Sequence, residues 1–186
     1  MTTTATIATI GACAAGGALT WTFLEYVIHR WLGHDGRFRG NPFGVEHVRH
    51  HAEGNYFAPT IKKLGVAAVV GLVLGIPAAL LAGSAGVAWI GGLLVAYGAY
   101  EIHHRREHTH PGRTGYGRWA RAHHFHHHFV DPRANHGVTS PLWDVFFRTY
   151  RPVAVIPVPR RLAPLWLLDD TGTLRAEHAA RYTVRR

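Results

Sequence analysis

Three long stretches of this chain carry almost no charge, and they limit what it can fold into. Residues 5–28 hold one charged side chain, Glu25, near their end; residues 64–82 hold none; residues 87–100 hold none and continue apolar past Glu101 to Ile102. A bilayer core is about 30 Å thick and a helix rises about 1.5 Å per residue, so about 20 apolar residues cross it. The pattern predicts an all-α, multi-pass membrane protein of about three to four spans, with helices over 5–28, 64–82 and 87–104. Only Gly83-Ser84-Ala85-Gly86 separates the last two, which is turn chemistry and predicts a tight hairpin. Small residues (Gly16, Gly17, Gly71, Gly75, Gly91, Gly92) suit close helix packing in lipid, and Pro77 is a candidate kink. A buried core helix of a soluble protein is the competing reading, but charge-free runs of this length are rare there.

The 186 residues carry a formal charge of +9, almost all of it arginine, since Lys62 and Lys63 are the only lysines. No nucleic-acid recognition module accompanies that charge. Arg30, Arg37, Arg39, Arg49, Lys62 and Lys63 flank the connection between the first two apolar stretches, and Arg105, Arg106, Arg113, Arg118 and Arg121 follow the third. The positive-inside rule therefore puts both basic regions in the cytoplasm and the protein in the cell membrane. Residues 1–10 hold no basic residue, so the first stretch is expected to be a retained span rather than a cleaved signal.

Ten of the sixteen histidines fall in those two basic regions, in four clusters: His29 with His34; His47 with His50 and His51; His104 with His108; His124 with His127 and His128. Residues at i, i+3 and i+4 project from one helical face and can share a metal ion. Every cluster obeys that spacing except His29 and His34, which are five apart; the chain is expected to leave the helix at Gly33 and swing His34 back. In the last cluster His123, His126 and His127 obey the rule equally well. Cys13 is the only cysteine, which excludes cysteine-based metal sites and intrachain disulfides, so any metal is held by nitrogen and oxygen. Ten imidazoles shared by two ions give about five each, leaving one open position per ion, the mark of a catalytic site. Redox-active iron in such a cage could activate dioxygen, whereas zinc could not.

A ligating histidine usually hands its second N–H to an oxygen acceptor. Glu25, Glu46, Glu101 and Glu107 lie near the clusters; Glu25, Glu46 and Glu101, with His123 and His126, are the candidates for this supporting layer. His103, His110 and His136 read as supporting or surface residues, and His178 as structural. Trp31, Trp119, Phe125 and Trp143 are candidates for an aromatic lid over an apolar substrate. Residues 151–186, with Pro152, Pro157, Pro159 and Pro164, read as an extended tail with an apolar patch at 162–168, outside a single domain over 1–150.

The four clusters resemble the histidine boxes of the fatty acid hydroxylase superfamily, which includes fatty acid 2-hydroxylases, sterol desaturases, methylsterol oxidases and carotenoid ring hydroxylases. Glu25-Tyr26-Val27-Ile28-His29-Arg30 resembles the first box, and residues 137–144 with Phe147 and Thr149 resemble the segment after the last. The likeness runs from about Glu25 to Tyr150, and Phe129 after the final pair favours His124, His127 and His128 as the ligating register. It implies a membrane oxidoreductase with two iron ions (zinc in some purified members) in a cytosolic helical domain. Such an enzyme hydroxylates or desaturates a fatty acyl chain or sterol with dioxygen. Many relatives carry a haem-binding electron-donor domain; His110-Pro111-Gly112 resembles its haem loop but lacks the surrounding fold, so a separate ferredoxin or b-type cytochrome with its reductase is expected. A carotenoid ring hydroxylase differs only in substrate. A metal-handling membrane protein without enzymatic activity is the reading from another class, and the absence of histidine from the charge-free spans argues against it.

Overall fold

The structure, a computed structural model, describes residues 3–38 and 40–186. Residues 1–2 and Arg39, which fall within the topology argument, lie outside the described residues. The chain divides into two compact units, Met1–Leu24 with Ala58–Glu101, and Glu25–Phe57 with Ile102–Arg186.

The first unit is built from most of α1 (Thr3–Val27) and most of α3 (Thr60–Thr109). The expected hairpin is there, inside α3: Gly83 takes φ 55° and ψ −132°, a conformation that only glycine adopts cheaply. A side chain at Gly71 would meet Leu94, one at Gly75 would meet Ile90, and one at Gly86 would lie 2.0 Å from the Ala78 carbonyl. Those pairings run antiparallel, so the two arms fold back on each other. Pro77 sits within the first arm without ending it. Helix α1 lies along the second arm at backbone contact: a Cβ at Gly17 would be 1.8 Å from the Trp89 carbonyl, and one at Gly92 would be 2.0 Å from the Ala14 carbonyl. The Trp89 indole N–H donates to Thr20 Oγ1 at 3.2 Å, and Trp21 meets Tyr97 edge-on at 4.8 Å. Glycine allows this approach, which supplies dispersion contacts where lipid removes any hydrophobic drive between helices. Among the described residues two helices, Thr3–Gly33 and Thr60–Thr109, are long and apolar enough to cross a membrane, with mean hydropathies of 1.5 and 2.5 in their most apolar windows. Leu80 and Leu81 are more than 80% exposed, an outward apolar surface of the kind lipid covers.

The second unit holds a π-helical turn (Ile28–Gly33), α2 (Pro42–Glu53), the end of α3, α4 (Gly115–Phe129) and α5 (Leu142–Phe146). Two short strands, β1 (Ile156–Pro159) and β2 (Tyr182–Arg185), pair in parallel with Ile156 opposite Tyr182. The protein is thus mostly helical, with one small sheet that the all-α expectation omits. Residues 151–186 are not an extended tail. Ile156, Val158, Leu167 and Tyr182 form one buried core with Ala122, Phe125 and Phe129 of α4. The prolines suggested an extended segment, but α4 has an apolar face that must be covered, and alternate residues of β1 cover it.

Neighbouring glycines provide a test of the helix contact. A Cβ at Gly91 meets nothing within 4 Å, whereas one at Gly92 collides with backbone. Gly92→Ala is expected to destabilise the protein by about 1–3 kcal/mol and Gly91→Ala to leave it near wild type. Thermal unfolding in detergent checks this; equal melting temperatures for the two variants would contradict the packing.

Candidate metal centre

Each histidine-bearing segment is fixed by local chemistry within the second unit. Asn41 caps α2, its Oδ1 accepting from Gly44 N–H at 2.9 Å while its amide donates to the carbonyls of Leu32 and Phe38. One side chain therefore starts α2 and ties it to the turn that carries His29 and His34. Thr114 caps α4 in the same way, accepting from Gly117 N–H at 3.0 Å. The Arg121 guanidinium reaches the last turn of α3 and donates to the carbonyls of Arg106, Glu107 and His110. A cation there satisfies carbonyls that a helix C-terminus leaves open.

The ten clustered histidines converge in two groups of five. One ring nitrogen from each of His29, His34, His47, His51 and His127 lies within 4.8 Å of the other four, and the same holds for His50, His104, His108, His124 and His128. The i, i+3, i+4 triads do not serve one group each. Helix α2 gives His47 and His51 to the first group and His50 to the second; α4 gives His127 to the first and His124 and His128 to the second. The i, i+4 pairs stay together, and the residue between them faces the other group. His51 and His128 stack at 3.9 Å where the groups adjoin.

The helix ends at Gly33, as expected, and His34 follows as its C-cap; what the spacing did not show is that the last turn widens into a π-turn, whose i→i+5 hydrogen bonding matches the five-residue spacing of His29 and His34. Gly33 also makes room, because a Cβ there would lie 2.8 Å from the His47 ring.

The nitrogen spacings fit metal ions. His34 Nε2 lies 2.8 Å from both His47 Nε2 and His127 Nε2; His104 and His50 approach at 3.1 Å, and His108 and His124 at 3.0 Å. One proton on His34 Nε2 could bridge to only one of its two neighbours, whereas a cation satisfies all three lone pairs. Metal–nitrogen bonds of about 2.0–2.1 Å place adjacent octahedral ligands about 3.0 Å apart. Nε2 of His29, His51 and His128 is buried without a hydrogen-bond partner, a costly state for a polar atom that ligation would relieve. Protonation is no remedy. Burial, reinforced by neighbouring imidazoles, holds His47, His51, His124, His127 and His128 well below 6.5 and brings His34 down to about 4.

Backbone carbonyls orient several of these rings. Nδ1–H of His29 donates to the His136 carbonyl at 2.5 Å, that of His127 to the Ala134 carbonyl at 2.8 Å, and that of His50 to the Tyr56 carbonyl at 2.7 Å. Each bond fixes the tautomer that leaves the Nε2 lone pair free for metal. Two buried carboxylates hold the loop that supplies the first two carbonyls. Glu25 Oε1 accepts from the backbone N–H groups of Val138 and Thr139 at 2.6 and 2.7 Å, and Oε2 from the Thr139 hydroxyl. Asp144 accepts from the N–H groups of His136 and Gly137 at 2.8 and 2.7 Å and from the Thr149 hydroxyl at 2.7 Å. Although burial opposes its charge, these bonds and His123 keep its carboxyl below the usual range.

Comparison with known proteins agrees with this geometry. The family profile described as "Fatty acid hydroxylase" matches residues 14–149. The chain belongs to the fatty acid hydroxylase family. A fatty acid 2-hydroxylase of Mus musculus is 34% identical over 76% of this chain and 40% of its own length. The dihydroceramide fatty acyl 2-hydroxylase FAH2 of Arabidopsis thaliana is 32% identical over 75% of this chain and 61% of its own length. The solved structure of full-length scs7p, in which only the hydroxylase domain is visible, aligns at TM-score 0.61 and 25% identity over 86% of this chain and 59% of that one. This family member thus spans about two fifths to three fifths of the relatives it matches.

The supporting layer of this hydroxylase-family chain differs from the expected one. Glu25 bonds the 138–139 backbone rather than His29 and acts on His29 one step removed, through the loop. Glu46 accepts from the Tyr56 hydroxyl, and the Tyr56 carbonyl serves His50. Glu101 pairs with Lys63 at 2.5 Å within the first unit. His123 faces Asp144 at 3.3 Å and stacks between Trp119 and Tyr150, while His126 is only half-buried; neither joins a histidine group. Phe125 lies in the core between α4 and the strands, so it is not a lid over the site. Sequence reasoning gave Asp144 no role and left His136 undistinguished. The signal available for Asp144 was its place in the segment 137–144 that resembled the family's, and His136 lies immediately before that segment.

Asp144→Asn turns an acceptor into a donor facing the Gly137 N–H. It is expected to weaken metal binding about 10–100-fold, read by competition with a chelator; unchanged affinity would show that the loop does not orient the rings. Acid should weaken the metal-free fold. His34 and His136 titrate at about 4 when folded, both lowered by burial, against about 6.5 unfolded. The unfolded chain therefore binds more protons between those values, and stability falls as pH drops through that window. A melting temperature that stays flat from pH 7 to pH 5 would contradict the buried neutral cluster.

Proposed function

We propose that this protein is a membrane-embedded, metal-dependent oxygenase that hydroxylates a lipid acyl chain. The two groups of five largely buried imidazoles carry the reading. Cages of nitrogen ligands suit iron, and five ligands per ion leave one position for dioxygen. The relatives' names, fatty acid 2-hydroxylase and dihydroceramide fatty acyl 2-hydroxylase, support an acyl chain as substrate and its second carbon as the place of attack. Desaturation would follow if a second hydrogen were removed instead of a hydroxyl delivered.

When bound, a pair of iron ions would supply redox-active metal with open coordination positions at which dioxygen could be activated by electrons delivered from outside. The protein contributes the surroundings. Carbonyls of His136, Ala134 and Tyr56 hold His29, His127 and His50 in ligating tautomers. Phe57 packs within 5.1–5.7 Å of the rings of His50, His104 and His108, an apolar wall that excludes water from the second group. The net reaction consumes one dioxygen, two electrons and two protons, and yields an alcohol and water. A separate one-electron carrier, a ferredoxin or b-type cytochrome with its reductase, supplies the electrons.

In the proposed topology, α1 and both arms of α3 cross the membrane, and the basic, histidine-bearing regions face the cytoplasm. Cysteine placed at Ser84, with Cys13 replaced by alanine, is then expected to react with an impermeant maleimide from outside intact cells; labelling only after lysis would reverse the orientation.

Lipid profiling of cells with and without the gene tests the activity. Acyl chains heavier by one oxygen are expected only with the intact gene. His127→Ala and His50→Ala each remove a ligand from a different group and should each lower product at least about 100-fold and reduce bound metal. Full activity in both would defeat the assignment. Metal flux into vesicles without oxygen consumption would favour a metal-handling protein instead.

A further inference from the structure

One feature of the second unit lies outside the metal groups. Arg118, Arg121, Arg181, His178, Trp166 and Tyr182 line a shallow groove in which Glu177 is the only acidic side chain. The Trp166 indole N–H donates at 3.0 Å to the backbone carbonyl of His108, a member of the second histidine group. Phe125 fills the space between them, 6.1 Å from the Trp166 ring and 5.3 Å from the His108 ring. Next in sequence to Trp166, Leu165 is 90% exposed.

Taking the chain as a reductant-dependent oxygenase, we propose that this groove is where an acidic one-electron carrier protein docks, with Trp166 as the contact that connects it to His108. Exposed Arg118 and Arg181, with buried Arg121 behind them, outweigh one glutamate and attract a negative face, and charge of this kind mainly speeds encounter and sets orientation. A small anion suits the groove less well. Arg121 already donates to three backbone carbonyls, and Arg118 gives one N–H to the Arg113 carbonyl, so these two guanidiniums are partly committed to the fold. Exposed Leu165 supplies an apolar contact beside the charged groups, the composition of a small transient interface. The Trp166–His108 hydrogen bond gives a short bonded path from that surface to a ring of the second group. Each docked carrier gives up one electron and is oxidised by one, so one hydroxylation requires two encounters.

The test uses full-length, metal-loaded protein in detergent, with an acidic [2Fe–2S] ferredoxin and a soluble b-type cytochrome as probes. Binding is measured by titration, apart from activity. Product is measured with carrier and, separately, with dithionite. Charge reversal at Arg118 and Arg181 (R118E with R181E) is expected to raise the dissociation constant for at least one probe about tenfold or more and to flatten its salt dependence. It should lower the carrier-driven rate relative to the dithionite-driven rate in the same sample. The neutral pair R118Q with R181Q should show a smaller effect in the same direction. Trp166→Phe keeps an aromatic surface but loses the N–H, so it should bind carrier normally and turn over more slowly with it. Unchanged affinity in the charge-reversed protein would overturn the docking site. So would a groove that binds vesicles of anionic phospholipid and neither carrier. A normal carrier-driven rate in Trp166→Phe would overturn the path. Tight carrier binding without product under dithionite would instead defeat the oxygenase reading and leave the docking surface standing.

Discussion

The structure of the second unit turns on a close approach that bare imidazoles would resist. Buried Nε2 atoms face one another at 2.8–3.1 Å, and at His34 one such atom faces two others. Neutral rings cannot satisfy that contact with the protons they hold, and burial disfavours adding more. A cation in each group would resolve the conflict. The polar contacts outside the rings then have a common purpose: they hold lone pairs inward that would otherwise turn toward water or a proton.

That purpose explains where the buried charge goes. Neither Glu25 nor Asp144 spends its carboxylate on a histidine of the two groups. Both accept backbone N–H groups from one loop, and the loop's carbonyls orient His29 and His127. Neutral carbonyl acceptors leave the imidazoles less basic than carboxylate acceptors would, while the two anions sit one layer further out. The cap on α2, the cation at the end of α3 and the core behind α4 hold the remaining rings by the same indirect means.

Much of this was legible in the sequence because spacing encodes helical faces. The four clusters, the turn at Gly83 and the choice of His124, His127 and His128 all follow from i, i+3 and i+4 periodicity together with turn chemistry and the likeness to one family. What escaped has identifiable physical causes. Periodicity assumes an α-helix, so it missed the π-turn that joins His29 to His34. It groups residues by face, so it could not show that His50 and His127 each leave their helical neighbours for the opposite group. Acceptors on the backbone carry no side-chain signature, so the His136 and Ala134 carbonyls were invisible while glutamates drew attention. Strand pairing across 156–185 is non-local, and prolines disguised it as a tail.

Glycine shows the same lesson at smaller scale. Gly33 and Gly92 both permit close approach, one to an imidazole and the other to a helix backbone, and neither needs an unusual φ. Gly83, by contrast, takes a positive φ at the turn that the sequence announced. The central claim is that ten imidazoles enclose two neighbouring ions, five to each. Anomalous diffraction from the purified protein, recorded on either side of the iron edge, tests it directly. Two peaks are expected, one within bonding distance of His29, His34, His47, His51 and His127, the other of His50, His104, His108, His124 and His128. A single peak, or ions bound away from these rings, would contradict the account.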